Sequence, residues 1–240
     1  MKNYTVGIVG GMGSYATADF FKRLIDAIPA EKEWDRPRVI IDNKCTMPSR
    51  VRALLYGEKR DELVAELTDS VRHMMDMGVS RIVFACNTSH CFIPDVIENI
   101  PESRNIILHI IDALGRDLAG RGIGSVGLVA TEGTIDSGIY SETFRPYGIH
   151  VTAPTEAEYT QLRGFIEAVK QNKTDDAICR EFIAFIDSIN EDAVILGCTE
   201  LPILYKACTD RGIFPAKAIY DPLQTAIDII VKEYADAPAV

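Results

Sequence analysis

The chain of 240 residues, 47% hydrophobic and 25% charged, is long enough for one large α/β domain or two small ones and too apolar to stay disordered. A formal net charge of -10 argues against nucleic acid and against an anionic membrane surface, both of which would repel it; a small molecule is the expected partner. No run of about 18 uncharged apolar residues occurs and the opening MKNYTVGIVGGMG lacks an export signal, so a soluble cytoplasmic protein is expected.

In chain order, TVGIVG (Thr5 to Gly10) reads as a short buried strand, followed by a helix from about Thr17 to Ile28 with Phe20, Phe21, Leu24 and Ile25 at helical spacing. A second strand, RVIID, ends at Asp42 and leads into a loop with Pro48, Ser49 and Arg50. The next helix, about Asp61 to Met77, carries a stripe of Leu63, Val64, Leu67, Val71, Met74 and Met75 and stops at Gly78. A third strand, RIVFA, delivers Cys86, and a short helix and a fourth strand, NIILHI, complete the first half. The alternation predicts a parallel sheet.

Beyond about Leu114 the pattern restarts: a strand SVGLVA, a loop TEGTIDSG, a strand near Val151 ending at Pro154, then helix from about Ala157 to Ile189 broken at QNKTDD. The strand AVILG then delivers Cys198, and a last helix, about Leu223 to Tyr234, is free to return to the first half. Gly7-Ile8-Val9 recurs as Gly127-Leu128-Val129, and Phe84-Ala85-Cys86-Asn87 as Leu196-Gly197-Cys198-Thr199. Two landmarks repeating at nearly half the chain length predict a duplicated unit. The expected architecture is α/β, two pseudo-symmetric domains, each a parallel sheet flanked by helices, with the active site in the cleft between them. The expected boundaries are 1–113 plus 215–240 for the first domain and 114–214 for the second.

Ligands of parallel α/β sheets bind beyond the carboxyl ends of the strands, where helices begin. Both Cys86 and Cys198 stand there, followed by capping-type residues, Asn87-Thr88-Ser89-His90 and Thr199-Glu200-Leu201-Pro202. A helix N-terminus favours the thiolate, so thiol and thiolate can coexist near neutral pH, as acid/base work requires. Two thiols on opposite sides of a substrate suit racemisation: one removes the Cα proton and the other protonates the opposite face.

Most cysteines in a reduced compartment are small buried hydrophobes, and Cys45, Cys91, Cys179 and Cys208 are read so. His90 and Cys91 beside Cys86 lack the paired spacing of a zinc site, and His73, His109 and His150 read as ordinary structural or surface histidines. GMGSYA also fits the dinucleotide pattern G-x-G-x-x-A, with Asp42 as the ribose-binding acid. The 31 residues from Gly11 to Asp42 exceed the roughly 20 of that fold, and an NAD-dependent oxidoreductase would leave both strand-end cysteines unexplained. A non-catalytic amino-acid-binding protein is the remaining rival.

GIVGGMG-x-x-AT at 7 to 17, PSR at 48 to 50, ACNTSH at 85 to 90, GLVAT-x-GT at 127 to 134, LGCTELP at 196 to 202 and IYDPL at 219 to 223 together resemble the aspartate/glutamate racemase family over nearly the whole chain. Ser14 and Ser89 depart from the commoner Pro and Ala. The resemblance implies a cofactor-independent amino-acid racemase, a homodimer, with Cys86 and Cys198 as catalytic thiols. It implies Asn87, Thr88, Thr199 and Glu200 around the substrate's amino and carboxylate groups, and Met12 and Thr134 lining the same site. Arg50 and, less directly, Lys170 match the cations that hold the side-chain carboxylate in aspartate-specific members. An arginine fork suits a carboxylate, and aspartate is the expected substrate. Glutamate or another amino acid, and other isomerisations or decarboxylations on the same scaffold, are the alternatives.

Overall fold

The computed structural model describes residues 2–238. Two compact units divide them: the chain up to Ile110 joined by the segment from Leu223 onward, and Ile111–Pro222.

In the first unit, β1 (Thr5–Gly10), α1 (Ser14–Ala27), β2 (Arg38–Asn43), α2 (Arg50–Tyr56), α3 (Arg60–Asp76), β3 (Arg81–Phe84), α4 (Ile93–Asn99) and β4 (Ile107–Leu108) follow one another. The strands form a parallel sheet in the order β2-β1-β3-β4. Val6, Ile8, Ile82, Val83 and Phe84 of the central strands are wholly buried, the near-continuous apolar run of a sheet covered on both faces.

In the second, α5 (Ile110–Gly120), β5 (Ser125–Val129), α6 (Glu132–Asp136), α7 (Ile139–Phe144), β6 (His150–Thr152), α8 (Glu156–Lys170), α9 (Asp176–Ser188), β7 (Ala193–Leu196), α10 (Leu201–Thr209) and β8 (Ala218–Tyr220) build a parallel sheet of order β6-β5-β7-β8. The order is that of the first sheet, element for element. The last helix, α11 (Pro222–Asp236), belongs almost entirely to the first unit. There Arg81 and the Tyr4 hydroxyl both donate to the Glu233 carboxylate, at 3.0 and 2.5 Å, and the Tyr234 hydroxyl donates to the Asp35 carbonyl.

The repeated glycine has one reason in both sheets. A Cβ on Gly7 would lie 2.6 Å from the Met74 sulfur, and one on Gly127 would lie 2.5 Å from Cγ2 of Ile189. Each glycine lets the segment leading into the next strand press against the central strand.

The structure departs from the sequence expectations where turns were expected. TEGTIDSG is not a loop: the Thr131 side chain accepts from the Thr134 amide and starts α6, and Gly138, with a left-handed φ of 66°, opens α7. Arg50 is not in a loop either, because Ser49 caps α2 through the Arg52 amide. The run NIILHI keeps only Ile107 and Leu108 as strand, since Ile110 already begins α5. The helix expected from Thr17 starts at Ser14. The Thr17 hydroxyl folds back onto that turn, donating to the Gly13 carbonyl at 2.8 Å and accepting from the Gly11 amide at 3.1 Å. Gly11 has a φ of 82°, and a Cβ there would meet the Lys44 backbone at 2.5 Å, while one on Gly10 would run into the Thr17 side chain; these two glycines are required by the chain's own packing.

Candidate active site

In the first unit β1 and β3 pair to their ends, Val9 opposite Phe84, and the Ala85 amide extends the ladder to the Val9 carbonyl at 2.9 Å. In the second, Val129 lies opposite Leu196 and the Gly197 amide reaches the Val129 carbonyl at 2.7 Å. The next residue in each case is a cysteine, so Cys86 and Cys198 occupy equivalent places at the carboxyl end of the strand beside the central one. Each is 7% exposed, reachable but largely shielded.

Most of the buried polar side chains among the described residues gather at these two turns, Asn87, Thr88, Ser89 and His90 after Cys86 and Thr199 and Glu200 after Cys198; Thr134, on α6, is buried as well. Burying polar groups costs stability unless they are bonded, and here the bonds are made. Ser89 Oγ and His90 Nδ1 both lie on the Cys86 carbonyl, at 2.7 and 2.9 Å. Thr134 Oγ1 lies 3.0 Å from Thr131 Oγ1.

The surroundings of Cys198 differ. Its thiol donates to Glu200 Oε2 at 3.0 Å, and the Thr199 hydroxyl donates to the same oxygen at 3.2 Å. Capping was expected from the residues that follow each cysteine, and neither Asn87 nor Glu200 supplies it. The Glu200 carboxylate is turned onto the thiol instead of the helix backbone, and after Cys86 the chain makes a 3-10 turn, Thr88–Phe92, before α4.

Among the other expected residues, Met12 and Arg50 meet. Arg50 Nη2 donates to the Met12 carbonyl and Nη1 to the Pro48 carbonyl, both at 3.1 Å, which holds the guanidinium beside the loop that follows β1. Met12, Met47, Ala53 and Cys86 belong to one buried cluster. Lys170 is not drawn into the Cys198 turn. It stands at the end of α8 with its side chain 50% exposed, paired to Glu167 at 2.8 Å. Desolvation lowers its pKa, but Glu167, with Glu200 and Cys198 beyond it, outweighs that and raises it, so its charge lies within electrostatic reach of that turn.

Sequence reasoning missed two side chains at these turns. Tyr140, on α7, is buried at 1% exposure. Burial first, then the charges of Asp221 and Cys198, push its phenol well above the ordinary range, so it stands beside Cys198 as a neutral hydroxyl. IYDPL contains Asp221, but nothing in the local pattern of Tyr140 marks it. His90 was expected as a capping-type residue and a weak metal neighbour, not as a partner of the Cys86 backbone; burial and then the adjacent His109 push its pKa down to about 3.

The Asp/Glu/hydantoin racemase family model matches residues 9–230. Glutamate racemase of Lactobacillus helveticus is 30% identical over 210 residues, 85% of this chain and 71% of that protein. Among solved structures, Picrophilus torridus aspartate racemase superposes with a TM-score of 0.80 at 26% identity, covering 97% of this chain and 94% of that one. Glutamate racemase from Francisella tularensis, in complex with D-glutamate, superposes with a TM-score of 0.66 at 20% identity over 98% of this chain and 82% of that one, a likeness of fold. With a family match over most of its length and both cysteines at equivalent strand ends, the chain belongs to the Asp/Glu/hydantoin racemase family of amino-acid racemases.

Proposed function

We propose that this enzyme interconverts L- and D-aspartate in the cytoplasm, without a cofactor, by proton transfer between Cα and two thiols. One thiolate takes the Cα proton, the electron pair left on carbon spreads into the α-carboxylate, and the other thiol gives its proton to the opposite face. The enzyme ends with the two protonation states exchanged, ready for the reverse reaction. In the resting geometry the Cys198 thiol donates to Glu200, and each thiol serves as the base for one enantiomer and the acid for the other. Asn87, Thr88, Thr134 and Thr199 supply hydroxyl and amide groups for the substrate's amino and carboxylate groups.

The observation that carries the aspartate reading is Arg50, whose fork rests on the Met12 carbonyl in the loop beside Cys86. A cation held there by backbone suits a short side-chain carboxylate, and Lys170 adds a second positive charge near Cys198. Likeness to the Picrophilus torridus aspartate racemase supports it. Glutamate is the second reading, favoured by the identity to the Lactobacillus helveticus glutamate racemase. Circular dichroism of L- and D-aspartate and of L- and D-glutamate incubated with the enzyme separates them: a kcat/KM for aspartate at least about tenfold above that for glutamate is expected. A preference for glutamate would reassign the substrate, and inactivity toward both would end the acidic amino-acid reading.

A further inference from the structure

The buried His90 is a titratable group of the Cys86 turn that proton transfer leaves unused. Its ring is only 1% exposed, with Nδ1 at 2.9 Å from the Cys86 carbonyl oxygen and the Ile110 amide directed at Nε2 at 3.4 Å. A carbonyl can only accept and an amide N–H can only donate, so this pair of contacts selects the neutral ring with the proton on Nδ1. The carbonyls of Cys86, Asn87 and Leu108 favour the imidazolium, but burial and the facing His109 ring, at 4.9 Å between centroids, outweigh them. Phe84 closes the other side, 5.9 Å away.

Ile110 is also the last residue of the first unit before the chain passes into the second. The ring therefore spans from the backbone of the thiol-bearing residue to that crossing point.

We propose that His90 is a positioning residue for Cys86: held as the Nδ1–H tautomer, it clamps the Cys86 carbonyl to the Ile110 amide and so keeps the thiol in one orientation. Ser89 gives the same carbonyl a second donor, and the turn after Cys198 has no imidazole, so the clamp acts on one thiol only. The inference rests on the reading of Cys86 as a catalytic thiol.

Two measurements test it. Nitrogen-15 NMR of the whole enzyme at neutral pH is expected to find His90 protonated at Nδ1 alone; protonation at Nε2, or at both nitrogens, would overturn the clamp without any variant being made. The second measurement follows deuterium entry at Cα of aspartate in single-thiol backgrounds, where the remaining cysteine can exchange a proton on its own face. In Cys198→Ala, adding His90→Gln should lower exchange by about tenfold or more. In Cys86→Ala the same change should leave exchange within about twofold. His90→Asn, whose amide nitrogen sits where Nδ1 does, should recover part of the loss. Equal losses in both backgrounds, or none in either, would overturn the proposal. An unsubstituted enzyme that exchanges neither aspartate nor glutamate would count against the proposed function, while the ring tautomer would still decide the clamp.

Discussion

The two units place a cysteine by the same means and then treat it differently. In both, a four-stranded parallel sheet pairs the central strand with its neighbour until Val9 faces Phe84 and Val129 faces Leu196, and the thiol follows two residues later. Around Cys86 the donors of Ser89 and His90 go to the peptide carbonyl. Around Cys198 the thiol itself bonds to a carboxylate. Backbone register sets where the sulfur stands, and the side chains of the following turn set its protonation partner. The same scaffold thus sets two thiols at equivalent positions beside different partners.

That contrast can be broken or sharpened by substitution. The largest effects are expected at the thiols: Cys86→Ala and Cys198→Ala should each lower racemisation, followed by circular dichroism, by about 10³-fold or more, since a positioned acid or base contributes roughly 10²–10⁴-fold and neither half can replace the other. Glu200→Gln keeps the shape of the Cys198 partner and removes its charge. Hydrogen bonds to charged groups contribute about 1.5–3 kcal/mol, so kcat should fall about 10- to 100-fold; an unchanged kcat would erase the difference between the two turns. Arg50→Lys keeps the charge and loses the fork, and KM for aspartate should rise by about tenfold with kcat less affected.

The smallest effect on turnover is expected at the paired glycines, which test the scaffold alone. Gly7→Ala and Gly127→Ala each overpack a central strand, at a cost of about 1–3 kcal/mol in urea unfolding. Gly127→Ala should be the more costly, because its Cβ meets β-branched Ile189 whereas Met74 can bend away from Gly7.

What could be read from the sequence follows from how strongly each feature depends on its own residues. The apolar runs TVGIVG, RIVFA, SVGLVA and AVILG are buried on both faces, so composition alone marks them as strands, and the cysteines at their ends follow directly. QNKTDD breaks α8 from α9 where it was expected to, with Asp175 capping α9 through the Ile178 amide. The short helices α2, α6 and α7 were hidden because their starts, Ser49, Thr131 and Gly138, are also turn residues, and only the capping contacts distinguish the two outcomes. His90 and Tyr140 were not legible as partners of the cysteines. His90 reaches Ile110, twenty residues on, and Tyr140 lies 58 residues before Cys198; such proximities arise from packing, which spacing along the chain does not report. Glu200 was marked by its motif, but its turn toward the thiol was not.

The central claim, one thiol for each face of Cα, is tested most directly by NMR of Cα deuterium in D2O with L- and D-aspartate supplied separately to Cys86→Ala and Cys198→Ala. The account predicts that one variant exchanges only one enantiomer and the other variant only its mirror image, with neither racemising at more than about a thousandth of the unsubstituted rate. If both variants exchange the same enantiomer, or if either still racemises both hands freely, the two cysteines are not opposed acid and base and the account is contradicted.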